Sequence, residues 1–458
     1  MVFSSLIFLI IFLPIVLICY FVLPKACRNL VLLAASLVFY AWGEPIYIFL
    51  MLISILLNYI LGLDIGRSSG ARKKAALVTA IVVDLLTLGF FKYYGFLITT
   101  VNDIFSLSLP VRQLALPIGI SFYTFQILSY IIDVYRGKVK VQKNPLRFAL
   151  YVTMFPQLIA GPIVRYEEIE RELGDRTVTW DRVTRGAEIF LIGLSKKVLL
   201  ANTLGALFAS VQAAADRTAL TAWIGMIAYT LQIYFDFSGY SDMAIGLGHI
   251  FGFSFPRNFN YPYIANSITD FWRRWHMTLS GWFREYVYIP LGGNRVGPWR
   301  HIFNILLVWA LTGLWHGAAW NFVLWGLYYG LLLVLEKYLF KNALAKSPAL
   351  LRHLYTLFFV VIGWVLFSAG SISEAFGMLA DMFGRHGPAD LTGIYALRSY
   401  GLWLAVGMFC ACPAAYKWFR NRSHDLPVLT LLIGTALIFL CIAGLVAGSY
   451  NPFLYFRF

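Results

Sequence analysis

IFNILLVWALTGLWHGAAWNFVLWGLYYGLLLVL, residues Ile302 to Leu335, runs for 34 residues without an Asp, Glu, Lys or Arg. Tyrosines aside, its one ionisable side chain is His316. As a single helix the stretch would extend about 50 Å at 1.5 Å per residue. A bilayer core is only roughly 30 Å thick. The stretch must therefore bend or turn, and Gly317, directly after the histidine, is the natural place. Solid apolar sequence of this length belongs in a membrane as helix.

The rest of the chain agrees. Of 458 residues, 60% are apolar and 13% charged, and the mean hydropathy is +0.72. A soluble globular enzyme has roughly 45–50% and 25%, so that class is excluded, as are disorder, collagen and coiled coil. A membrane β-barrel would alternate in segments of about ten residues. The apolar content suffices for on the order of ten membrane helices. The fold class expected is an all-α polytopic membrane protein. The net charge of +15 reads as the Lys and Arg excess of cytoplasmic loops, and no nucleic-acid partner is expected. Five cysteines, Cys19, Cys27, Cys410, Cys412 and Cys441, fit neither a disulfide framework nor a zinc site.

Leu6 to Leu23 has no basic segment before it and no small-residue cleavage site after it, so it reads as a retained first helix. Uncharged runs follow near 29–43, 46–63, 75–91 and 113–132. Basic clusters punctuate them: Lys25 and Arg28; then Arg67, Arg72, Lys73 and Lys74; then Arg136, Lys138, Lys140, Lys143 and Arg147. Each is separated from the last by an even number of crossings. All three can be cytoplasmic, with the N-terminus and the turn Trp42-Gly43-Glu44-Pro45 outside. Arg165 to Arg185, rich in both signs, reads as a cytoplasmic loop with a surface helix. Further apolar stretches lie near 187–212, 219–250, 302–335, 353–369, 399–416 and 427–449. Lys196 and Lys197 split the first of these, and Asp236 and Asp242 sit inside the second. With no composition shift and no repeat, residues 1–458 read as one integral-membrane domain.

An ionisable residue inside an apolar segment is costly and marks a functional candidate. His316 is the first: a neutral imidazole there can take a proton from a hydroxyl near neutral pH. The alternative is a core histidine bonded to a carbonyl among packing tryptophans. The second candidate is SITDFWRRWHMTLSGWFREYVY, Ser267 to Tyr288. Ser267 and Asp270 resemble a helix-start capping pattern, and Asp270 and Arg274 are spaced to pair on one face. Trp272, Trp275, His276 and Leu279 would form an aromatic stripe on one amphipathic helix. Either this is a surface helix without chemistry, or His276 lies beside the reaction centre while Arg273 and Arg274 meet the phosphates of a donor such as coenzyme A. Asp236 and Asp242 are a polar lining or a buried brace. FPQLIAGP, Phe155 to Pro162, reads as a broken or re-entrant segment, tolerated at depth only when buried in protein or lining a cavity. There is no Walker A loop, GxSxG or HExxH, and two histidines without a third ligand make a poor metal site.

With these residues in view, the sequence resembles the membrane-bound O-acyltransferase (MBOAT) family, in its alginate O-acetyltransferase branch. The matching pieces are LPIGISFY (Leu116–Tyr123), YIIDVYRG (Tyr130–Gly137), LIAGP (Leu158–Pro162), YFDFSGYSDMAIGLG (Tyr234–Gly248), FWRRWH (Phe271–His276) and LWHG (Leu314–Gly317). They cover roughly residues 1–340, and 341–458 carry little that matches. The resemblance implies a ring of about 10–12 tilted transmembrane helices with re-entrant and amphipathic segments around a central funnel. It implies His316 as the essential histidine and His276 as the second active-site position. Arg273, Arg274, Trp275, Trp315, Asp236 and Asp242 would then contact substrate or donor. It also implies acetyl-CoA as acyl donor, no bound cofactor or metal, and a bacterial inner-membrane location among lipids. The implied acceptor is a polysaccharide: alginate or a similar exopolysaccharide, or else cellulose, peptidoglycan or teichoic acid. An extracytoplasmic acetyltransferase or acyl carrier would complete transfer. A transporter or a non-catalytic scaffold is the competing class.

Overall fold

The computed structural model describes residues 1–112, 114–417, 427–448 and 453–454. The end of the expected stretch 427–449 lies outside them. Among the described residues there is no strand. The helices are α1 (Leu13–Val22), α2 (Arg28–Gly43), α3 (Tyr47–Arg67), α4 (Gly70–Phe105), α5 (Ile120–Arg136), α6 (Pro145–Thr153), α7 (Phe155–Leu158), α8 (Tyr166–Gly174), α9 (Trp180–Ser195) and α10 (Asn202–Gln212). Then come α11 (Ala219–Ile250), α12 (Ile268–Arg274), α13 (Met277–Phe283), α14 (Pro298–His316), α15 (Trp320–Tyr338), α16 (Lys341–Lys346), α17 (Ala349–Ser368), α18 (Ile372–Met382), α19 (Leu391–Cys410) and α20 (Pro427–Ala447). The expected all-helical, multi-pass membrane class holds.

Among the described residues, six helical stretches are long and apolar enough to cross a bilayer: Lys25–Gly43, Tyr47–Arg67, Gly70–Phe105, Trp180–Gln212, Ala349–Ser368 and Val428–Ala447. Their outward faces are apolar; Ile53, Leu56, Ile60, Leu86, Leu431 and Leu432 are all exposed. Water would penalise such a surface, whereas lipid does not.

The chain divides into two compact units, Met1–Phe190 with Ser241–Pro256, and Leu191–Tyr240 with Arg257–Phe458. One division falls inside the continuous helix α11, where no composition break can mark it. In the first unit, α6 stops at Met154 (φ −51°, ψ 110°) and α7 is a single turn. Residues from Phe155 to Val164 are buried throughout, which fits the broken segment expected at FPQLIAGP. The polar loop carries the expected surface helix, α8, at whose start Glu168 Oε2 accepts from the Arg165 N–H at 2.8 Å.

Two readings need correction. The run 75–91 is not charge-free: α4 spans 36 residues and buries Asp84 against Asn58, whose Nδ2 donates to Asp84 Oδ1 at 2.8 Å. A lone carboxylate in apolar sequence finds an amide from the neighbouring helix, and it does not interrupt the span. Lys196 and Lys197 do not split their stretch either. The helix continues through a wide π turn at Lys196–Ala201, which carries the buried Lys197 to an ion pair with Asp236.

Candidate active site

The site residues of the second unit are set by three breaks in helices. The first is at the start of α12. Ser267 Oγ accepts from the Asp270 N–H at 2.9 Å, the cap the sequence suggested. Buried Glu336, on α15, adds what the sequence did not disclose. Its carboxylate accepts from the N–H groups of Ile268 and Thr269 at 2.6 and 2.9 Å and from Thr269 Oγ1 at 2.7 Å. A carboxylate on the exposed N–H groups of a helix start satisfies orphan donors and complements the dipole.

The second break corrects the expectation of one amphipathic helix. The backbone leaves α12 at Trp275 (φ −101°, ψ 128°), and His276 adopts a left-handed conformation (φ 44°, ψ 53°) before α13 begins. A non-glycine residue there is strained and is held by its surroundings. The holder is Asn258, fully buried. Its backbone oxygen accepts from the Met277 N–H at 2.9 Å. Its Oδ1 accepts from the Thr278 N–H at 3.3 Å and from Thr278 Oγ1 at 2.9 Å. The same Oδ1 lies 3.1 Å from His276 Nδ1. A backbone N–H can only donate, so the atom facing it is the amide oxygen, and His276 Nδ1 carries a proton. In the neutral ring Nε2 then holds the lone pair.

The third break is the one the long apolar run foretold. Helix α14 ends at His316, Gly317 is extended (φ −160°, ψ 150°), and α15 starts at Trp320. A side chain on Gly317 would run into the Phe322 ring. The two helices pack so tightly that methyl groups on Gly313 or Gly326 would meet the carbonyl oxygens of Phe322 and Trp309.

These breaks bring the two histidines to one aromatic wall. Trp315 has its ring centroid 5.9 Å from that of His276 and 4.9 Å from that of His316. His276 also meets Phe237 edge-on at 4.6 Å. His316 meets Trp325 at 5.0 Å and Phe367 at 5.3 Å. Both histidines are almost wholly buried, at 1% and 3% exposure.

Beside His276 lies a cavity of about 650 Å³, and His316 is not among the residues that line it. Its apolar wall is Trp272, Trp309 and Val308, and His276 and Thr312, one turn before His316, also line it. Four cations converge on it from distant segments: Arg273, Arg284, Lys337 and Lys341. Only Arg273 was picked out from sequence. Arg274 instead pairs with Asp270 at 2.9 Å, as its spacing suggested. Trp275 is packed against Phe271, Phe259 and Trp364 with centroids 5.6, 5.1 and 4.8 Å away. Asp236 accepts from the Leu454 N–H at 2.8 Å as well as pairing with Lys197, which makes it a brace. Asp242 falls in the first unit. Among the described residues no group of three or more His, Cys, Asp or Glu gathers to hold a metal.

A cavity with a cationic margin, an apolar body and an acid–base group on its wall suits an anionic, acyl-bearing substrate. The sequence pattern of the membrane-bound O-acyltransferase family matches residues 138–375. The chain is 41% identical to a probable alginate O-acetylase of Azotobacter vinelandii, over all of both chains. It is 37% identical to a peptidoglycan O-acetyltransferase of Helicobacter pylori, over all of this chain and 97% of that one. A teichoic acid D-alanyltransferase of Bacillus subtilis is 31% identical over 57% of this chain and 70% of its own length. The resemblance carried by LWHG and FWRRWH is thus met along the whole sequence, and the chain belongs to the membrane-bound O-acyltransferase family.

Proposed function

We propose that this O-acyltransferase moves acetyl groups from cytoplasmic acetyl-CoA across a bacterial inner membrane for the O-acetylation of an extracellular polysaccharide, alginate or a similar polymer. The observation that carries the reading is the indole of Trp315, its ring centroid 5.9 Å from that of His276 and 4.9 Å from that of His316, with His276 on the wall of a cavity margined by four cations. Arg273, Arg284, Lys337 and Lys341 meet the donor's phosphates, and the apolar body takes its thioester arm. His316 takes the proton from the attacking hydroxyl. The C–O ester bond forms as the C–S bond breaks, and the proton passes on to the departing thiolate, so the step needs no further reactant. His276 positions the thioester. With Nδ1–H committed to Asn258, it stabilises the oxyanion only when Nε2 is also protonated. The basic loops face the cytoplasm and the N-terminus lies outside. A separate extracytoplasmic acetyltransferase or acyl carrier completes delivery.

The test is His316→Ala in cells. Polymer acetylation should be lost at normal protein level; unchanged acetylation would overturn the assignment. The 37% identity to a peptidoglycan O-acetyltransferase favours cell-wall polymer as the second acceptor, and mass analysis of surface polymers in a deletion strain separates the two. Labelled acetyl-CoA given to inside-out vesicles separates the enzyme, which consumes thioester, from a polymer transporter, which does not.

A further inference from the structure

The first unit holds a second cavity, an open groove of about 730 Å³. Lys73 comes from the start of α4, Lys140 and Lys143 from the loop after α5, and Arg147 from α6. Two of the basic clusters read from sequence therefore share one end of this unit. The only carboxylate on the wall is Glu170 of α8. None of the four cations makes an ion pair with it or with any other described carboxylate. Like charges left to themselves spread apart in solvent. Here four converge with a single counter-charge, so the groove carries a net positive charge.

The groove is built, and is not a chance gap between loops. The Gln142 N–H donates to Tyr130 Oη at 3.0 Å, and Gln142 Nε2 donates to Tyr166 Oη at 2.8 Å. Tyr59 Oη, on α3, donates to the Lys143 carbonyl at 2.6 Å. Val141 packs so closely on Gly66 that an added Cβ would lie 2.8 Å from its side chain. The backbone of the loop bearing Lys140 and Lys143 is thus clamped to α3 and α5. Beside them Ile65, Val134, Val139 and Val141 form an apolar wall.

Location selects the ligand. Ile65, Gly66, Ser68 and Lys73 line the groove, and they sit where the two membrane-length helices α3 and α4 meet. Helix α3, about 31 Å long at 1.5 Å per residue, matches a bilayer core, so its end lies at headgroup depth. Cations at that depth beside an apolar wall suit a group that is phosphate at one end and hydrocarbon at the other. We propose that this groove seats the phosphodiester of an anionic membrane phospholipid. The phosphate lies among Lys140, Lys143 and Arg147, the acyl root lies against Val139 and Val141, and Glu170 takes a hydroxyl of the headgroup.

The full chain, reconstituted in vesicles of equal parts phosphatidylglycerol and phosphatidylcholine and then extracted, is read by native mass spectrometry. Phosphatidylglycerol should be retained over phosphatidylcholine by roughly tenfold or more, as several cations near a surface favour anionic lipid. The triple variant Lys140→Gln, Lys143→Gln, Arg147→Gln should fall to near parity. The triple variant Lys25→Gln, Lys74→Gln, Arg136→Gln loses the same charge outside the groove and should keep the preference. Equal loss in both triples would reduce the effect to general surface charge and overturn the proposal. The exposed single change Lys140→Glu gives the same reading if the triple fails to fold: an unchanged preference overturns it. In a second arm, excess inorganic phosphate is added to the lipid-loaded protein. Displacement of phosphatidylglycerol by phosphate alone would make the source a free phosphate and sink the lipid assignment; persistence supports it.

Discussion

Two histidines stand at two breaks, and the breaks differ in kind. His316 ends a 19-residue helix whose successor packs back on it through Gly313 and Gly326, and its ring is set by the rings around it. His276 stands between two seven-residue helices, in a strained backbone conformation, and one amide oxygen fixes its tautomer. Aromatic rings wall in the first, and a hydrogen bond to Asn258 orients the second. A positioning group gains by being fixed.

The largest effect should come from His316. In vesicles supplied with labelled acetyl-CoA, His316→Ala should cut acetyl transfer by about 10²–10⁴-fold, the range of a lost general base. Residual transfer near the wild-type rate would place the base elsewhere and exchange the two roles.

Asn258 sharpens the contrast. Asn258→Leu removes the acceptor at Nδ1 and should reduce transfer roughly ten- to a hundredfold, the size of a lost supporting hydrogen bond behind a reactive group. Asn258→Asp keeps the acceptor and adds negative charge. A carboxylate beside an imidazole favours its protonated form, in which Nε2 also donates, so the alkaline limb of the pH–rate profile should move to higher pH. Two variants with the same profile, both merely slower, would make Asn258 a packing residue.

The backbone packing around His316 can be perturbed on its own. Gly326→Ala sets a methyl group against the carbonyl oxygen of Trp309 and should lower stability by about 1–3 kcal/mol, as overpacking does. Its thermal midpoint in detergent should fall, while Asn258→Leu leaves that midpoint nearer the wild-type value. The reverse order would mean that the hairpin tolerates separation.

What the sequence disclosed follows the same division. The break at Gly317 was readable because 34 uncharged residues cannot fit one bilayer crossing. Ser267, Asp270 and Arg274 were readable because their partners lie within four residues. The break at His276 was hidden, since Phe271 to Trp282 keeps a helical pattern with no glycine or proline before Gly281. Its cause, Asn258, lies 18 residues away and is one asparagine among many. Lys197 lay in plain view as an interruption, but its partner Asp236 is 39 residues on. Only the fold turns that pair from two anomalies into one brace. The cavity's cations are similar: Arg273 was visible within a motif, whereas Arg284 after α13, Lys337 on α15 and Lys341 on α16 become a set only when those helices are packed.

The smallest expected effect concerns the far end of α12, where Glu336 holds the helix that delivers His276. Glu336→Gln keeps the volume and one acceptor oxygen but removes the charge. Of the three donors now on the carboxylate, at least one loses its partner. A charge-assisted hydrogen bond is worth about 1.5–3 kcal/mol, and partial replacement should leave a loss of about 1 kcal/mol. If α12 acts as a rigid arm, this loosening reaches His276 and not His316. The variant should raise the concentration of acetyl-CoA needed for half-maximal transfer, and the maximal rate should stay within about twofold. A matching fall in the maximal rate with donor affinity unchanged would show that the carboxylate supports the base side instead, and that the two breaks are coupled through α15.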